Sequence, residues 1–119
     1  MLHVAAALIA LLGIAHSVLG ERYILVRLFR RELPPLFGGT GFTRRTLRFA
    51  WHLTTVLFVA LAAVLAQLAG PYSTAALAGT IGVALLLSGL LSLFISRGRH
   101  LSWLVLLTAA GLCLATAIG

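Results

Sequence analysis

Lysine is absent from this 119-residue chain, and its only acidic residues are Glu21 and Glu32. Charged residues make up 9% of the sequence, where a soluble domain carries roughly a quarter. That scarcity excludes an ordinary soluble globular domain. A single cysteine, Cys113, excludes an internal disulfide and the CxxCH attachment of a c-type haem. The segment FGGTGFTRR lacks the GxxxxGK[ST] spacing and a preceding strand, which excludes a phosphate loop. Ser88, Ser92 and Ser96 have no acidic neighbour in sequence, so they read as helix-packing contacts rather than nucleophiles. No catalytic constellation is recognisable.

What is present is apolar. Hydrophobic residues form 61% of the chain, gathered in four blocks. Each is long enough to cross a hydrocarbon core of about 30 Å at about 1.5 Å per residue. The reading is an all-α membrane protein: four transmembrane helices in an antiparallel bundle, one domain over residues 1–119. The expected spans are 2–19, 49–69, 75–95 and 101–118, with a basic loop over 20–48. The first span lacks a positive n-region and runs into arginines, so it reads as a retained span rather than a cleaved signal. Ala6, Ala10, Gly13, Ser17 and Gly20 recur along it at steps of four and three. Such a small-residue stripe lets another helix approach closely in lipid.

The loop over 20–48 holds seven of the nine arginines: Arg22, Arg27, Arg30, Arg31, Arg44, Arg45 and Arg48. Ile24, Leu25, Leu28 and Phe29 fall at helical spacing within ERYILVRLFRREL, which predicts a short amphipathic interfacial helix. Pro34 and Pro35 end it, Phe37–Phe42 form a flexible turn, and Thr43 caps the second helix. A formal charge of +7 suggests nucleic acid, but these arginines sit between spans, where anionic lipid headgroups are their partners. Arg97 and Arg99 occupy the third loop, and the middle loop and termini have none. By the positive-inside rule the first and third loops are cytoplasmic and both termini periplasmic, in a bacterial inner membrane.

Orientation sets the depth of the histidines. His16 and His52 lie at matched depth on antiparallel spans, with His100 and Glu21 near the same end. Ionisable groups inside spans are costly and mark functional candidates. One reading makes His16 and His52 ligands of a transition-metal ion, joined by His100 and Glu21. A variant makes His16 and His52 the axial ligands of a b-type haem. Glu21 and His16 converge only if the helix breaks near Gly20. The bland reading has these histidines hydrogen-bonding to neighbouring helices. His3 stands alone at the far end, with Gln67 as its expected partner, and Trp51, Tyr72 and Trp103 read as interfacial anchors.

HSxxGER followed by TRRxLRFAWH resembles a group of small four-span bacterial inner-membrane proteins, over residues 16–58. The likeness implies the four-span fold and no particular activity. Small multidrug-resistance transporters are similar in size and span count, but the first span here lacks their buried glutamate and the basic first loop is foreign to them. Three functions follow in order: a redox or metal-binding membrane protein, an accessory or packing subunit of a homo-oligomer or larger membrane complex, and a small transporter.

Overall fold

The computed structural model describes residues 1–119, and every regular element in it is helical. Helix α1 runs Leu2–Leu28, α2 Gly41–Leu68, α3 Thr74–Ser96 and α4 Ser102–Ile118. The first three are long and apolar enough to cross a membrane, and α4 is a shorter apolar fourth. Ser73 caps α3 by accepting the Ala76 amide at 3.1 Å. Arg97 ends that helix in the left-handed region (φ 55°), a position glycine usually takes.

Two helix boundaries differ from expectation. The first span does not stop at Leu19 and give way to a separate interfacial helix. It continues through a π-helical turn, Gly20–Leu25, and ends at Leu28. Helix α2 begins at Gly41, two residues before its expected cap at Thr43 and eight before the apolar span expected from 49. Thr43 is therefore inside the helix rather than its cap, and its hydroxyl donates to the Pro34 carbonyl at 2.8 Å. That bond ties the incoming loop to the helix. The loop itself is a tight turn: Leu36 and Gly39 pair, with Phe37 (φ 52°) and Gly38 (φ 83°) both at positive φ.

The helices pack as two close hairpins, each built on one device. Gly13 and Gly20 of α1 receive Phe58 and Trp51 of α2: a Cβ on Gly13 would lie 2.9 Å from the Phe58 Cβ, and one on Gly20 2.0 Å from the Trp51 indole nitrogen. Gly82 and Gly89 of α3 receive Leu114 and Leu107 of α4, where added Cβ atoms would lie 2.8 and 2.6 Å away. In each hairpin the glycines and their bulky partners are seven residues apart and run in opposite directions. Two helical turns of one helix thus mesh with two of the next. The small stripe predicted on α1 is this seam.

The hairpins do not close around a common core. Helix α1 touches only α2, α4 touches only α3, and α2 and α3 meet between them. The chain is accordingly a row of four antiparallel neighbours measuring 51 × 31 × 14 Å, one helix thick. Only 13 of 119 residues are buried, so the expected bundle is replaced by an open layer. Physically, the glycines that admit the closest approach, Gly13, Gly20, Gly82 and Gly89, all lie on seams between sequential helices.

Candidate functional site

The densest polar arrangement joins α1 to α2 at the end that carries the 20–48 loop. Ser17 and Glu21 are four residues apart and share one side of α1; Arg48 and His52 are four apart on α2. The His52 Nδ1 lies 2.6 Å from Ser17 Oγ, and its Nε2 lies 3.1 Å from Glu21 Oε2. Arg48 grips the same carboxylate at both oxygens, Nη2 to Oε1 at 2.7 Å and Nε to Oε2 at 3.3 Å.

The network dictates the tautomer. An ionised Glu21 only accepts, so Nε2 carries the proton and donates to it, leaving Nδ1 of a neutral ring to accept from the Ser17 hydroxyl. The chain Ser17–His52–Glu21–Arg48 is thereby satisfied at every ring nitrogen. The order serine, imidazole, carboxylate also occurs in hydrolytic sites, but those need oxyanion donors and a substrate cavity. None of the larger cavities is lined by Ser17, His52 or Glu21. Its chemical effect here is to staple two helices and orient one imidazole.

His16 belongs to a different environment. Its ring stacks on Trp51 at 4.5 Å and 5° between planes, and meets the edge of Phe58 at 5.9 Å. The Trp51 indole N–H donates to the His16 carbonyl at 3.0 Å. His16 Nε2 is buried with no hydrogen-bond partner. Trp51, expected as an interfacial anchor, is instead the bulky group that fills the space over Gly20.

His100 is placed elsewhere again. Its Nδ1 lies 2.8 Å from Ser102 Oγ, and its ring packs against Phe49 at 4.9 Å and Phe42 at 6.3 Å. The predicted set His16, His52, His100 and Glu21 therefore resolves into one linked pair, His52 with Glu21, and two separate rings. No three His, Cys, Asp or Glu side chains are placed to share a metal ion. The donor set does not fit a bis-histidine haem either: both His52 nitrogens are engaged and His16 is enclosed by Trp51 and Phe58. Gln67, expected beside His3, donates instead to the Thr80 hydroxyl of α3.

The arginines divide similarly. Arg48, expected among lipid headgroups, is the ion-pair partner of Glu21. Arg44 donates to the Phe29 carbonyl at 3.3 Å and lies with Arg48 over the Phe29 ring, at 5.7 and 5.0 Å. The face of Phe29 attracts both cations. Arg22 and Arg27 lie 5.9 and 6.0 Å from the Tyr23 ring centre. Arg30 and Arg31 line an open cavity with Glu32 and Arg44. Arg45 shares a small cavity with Arg99.

The predicted serine run is a packing device. Ser88, Ser92 and Ser96 are almost completely buried, at 1%, 0% and 0% exposure. Ser92 Oγ lies 2.7 Å from Ser102 Oγ, and Ser96 Oγ accepts the His100 amide at 3.2 Å, locking the corner between α3 and α4.

Sequence reasoning missed Ser17 as the partner of His52. Its position four residues before Glu21 was the available signal, masked because Ser17 also fits the small-residue stripe. No family model, curated protein or solved structure matches this chain. The fold defines a class: an all-helical chain with three helices apolar and long enough to cross a membrane, and a shorter fourth.

Proposed function

We propose that this chain is a four-span integral membrane protein that acts as a packing subunit of a larger membrane assembly. The observation that carries the reading is the single layer, 14 Å thick, in which α1 and α4 each have one helical neighbour. Both faces of such a layer remain open to lipid or to another chain. The junction between α2 and α3 supports a protein partner. It is an open groove of about 490 Å³ lined by small and branched residues, among them Val59, Ala60, Ala63 and Gly79. Thr55 lines this groove, and its hydroxyl is buried without a partner. Thr54, Thr108 and Thr116 each donate to the carbonyl four residues back. The Thr55 hydroxyl, like that of Thr46, has no such partner; a rotation of its side chain toward the groove would offer it to a polar group on a docking transmembrane helix.

In this reading the Ser17–His52–Glu21–Arg48 chain and the His16–Trp51 stack hold α1 on α2. The arginine-rich ends face the cytoplasm and anionic headgroups, and both termini face the periplasm of a bacterial inner membrane. The metal and haem reading is set aside because the donor atoms are engaged or separated.

The test is extraction in a mild detergent after crosslinking in the membrane, followed by mass analysis. The expected result is a species larger than one 12.6 kDa chain, weakened by Thr55→Leu. A lone monomer that is fully folded in its membrane would overturn the proposal. Visible spectra and bound-metal analysis of the same preparation, with His16→Ala and His52→Ala, separate the alternative. Colourless, metal-free protein is expected.

A further inference from the structure

The two basic loops meet, and where they meet no carboxylate accompanies them. Phe42 and Phe49 near the start of α2 pack on His100, between α3 and α4, and this brings Arg99 to Arg45. The two arginines line one cavity of about 160 Å³ with the turn residues Phe37, Gly38 and Gly39. Arg45 lies in the first turns of α2, its guanidinium folded to within 3.8 Å of the position a Cβ on Gly41 would take. Arg99 is held by its neighbour His100, whose amide donates to Ser96 Oγ and whose ring packs on Phe49.

The charge here is uncompensated. The chain has two acidic side chains: Glu21 is held by Arg48 and His52, and Glu32 lines a different cavity with Arg30, Arg31 and Arg44. Like charges drawn to one cavity repel, and an anion between them reverses the sign of that interaction. Two guanidinium forks from different elements can offer several N–H groups from two directions. That suits the tetrahedrally placed oxygens of a phosphate, whereas a flat carboxylate is satisfied by one fork, as Glu21 is by Arg48. The cavity rim carries Phe37, 78% exposed and held at φ 52°. A bulky residue in the left-handed region is strained, and such outliers cluster at ligand clamps.

We propose that Arg45 and Arg99 form a site for a phosphate group, either the phosphodiester of an anionic lipid headgroup or a free phosphate. The headgroup alternative rests on and deepens the reading above, in which the arginine-rich ends face anionic headgroups; the free-phosphate alternative is independent of it, and neither uses the α2–α3 groove or the layer faces.

The experiment uses the full chain in a maltoside detergent, which carries no phosphate. Sodium phosphate and a short-chain phosphatidylglycerol are titrated separately at fixed ionic strength, with thermal stabilisation as the readout. Arg45→Gln and Arg99→Gln are compared with Arg22→Gln, which removes equal charge away from the cavity. Helicity by circular dichroism confirms that each variant is folded. Affinity is expected to fall about tenfold in each cavity variant, the loss of one charge-assisted contact, and to stay within about twofold in Arg22→Gln. Stabilisation by phosphate alone identifies a free-phosphate site, and stabilisation by the lipid only identifies a headgroup site. Each supports the proposal when the cavity variants abolish it. Absence of both effects, or equal loss in Arg22→Gln, overturns it.

Discussion

Gly20 has ordinary helical angles (φ −63°, ψ −48°), so its role is to leave space rather than to bend the chain. Any side chain there meets the Trp51 ring. Gly20→Ala is expected to destabilise the protein by about 1–3 kcal/mol through overpacking, despite alanine's better helix propensity. Thermal unfolding in detergent with a shift in tryptophan fluorescence is the measurement; an unchanged midpoint would contradict the packing. Glu21 is the residue on which the polar chain converges. Glu21→Gln leaves Arg48 without its counter-ion, and Ser17→Ala leaves His52 Nδ1 without its donor. The Arg48–Glu21 pair is more than a third exposed at Arg48 and a third at Glu21, so screening holds its own contribution to about 1 kcal/mol or less. The Ser17–His52 bond is worth about 1 kcal/mol. A double-mutant cycle between Ser17→Ala and Glu21→Gln is expected to show coupling through the ring, because the carboxylate sets which nitrogen accepts. Strict additivity would show that the two contacts are independent. At this scale the sequence displayed the candidates His16 and His52 but not their separation. Helical spacing assigns faces, while whether a ring reaches its neighbour or stacks on Trp51 depends on the interhelical distance that Gly20 permits.

Each helical hairpin is a gear of two glycines and two large side chains, and the register is testable. Gly79 extends the α3–α4 seam: a Cβ there would lie 3.5 Å from the Ala117 Cβ. That separation is within disulfide range. Gly79→Cys with Ala117→Cys, in a Cys113→Ser background, is expected to crosslink under mild oxidation. A partner moved one residue along α4 would face away, so Thr116→Cys paired with Gly79→Cys should not. In the same seam, Gly89→Ala is expected to destabilise, with recovery when Leu107→Ala supplies the missing space. The helices themselves were legible in sequence, since long apolar runs punctuated by Gly70-Pro71 and by SRGRH leave few alternatives. That α1 runs on without a break through Gly20 to Leu28, and that α2 starts at Gly41 rather than after Thr43, was not. Apolar periodicity marks ERYILVRL as helical but not as joined to the span; the junction is set by packing, since Phe49 and Leu25 are buried and Phe29 lies beneath Arg44 and Arg48.

The whole molecule is a plate, and its edges and faces are chemically distinct. Both basic loops lie at one edge, as the contact of His100 with Phe42 and Phe49 requires. Both termini and the Gly70–Ser73 turn lie at the other. If the plate stands in a membrane with its arginines in the cytoplasm, alkaline phosphatase fused after Ile118 is expected to be active and a fusion after Arg99 inactive. The reverse pattern would invert the proposed topology. The α2–α3 junction is the looser of the seams, with its groove and the buried, unpaired Thr55 hydroxyl. Exchange or proteolysis is therefore expected to separate the molecule into α1–α2 and α3–α4 halves before either hairpin opens.

By itself the sequence determined the four apolar helices, their alternating direction, the small-residue seam of α1 and the placing of both arginine-rich loops at one edge. These follow from composition and periodicity, which act residue by residue along one chain. Only the tertiary structure decided that the helices form a layer, that His52 pairs with Ser17 and Glu21 while His16 stacks on Trp51, and that Arg45 and Arg99 line one cavity. Those outcomes depend on which faces meet and how closely, and closeness is set by the missing side chains of Gly13, Gly20, Gly82 and Gly89 acting together with the large groups opposite them.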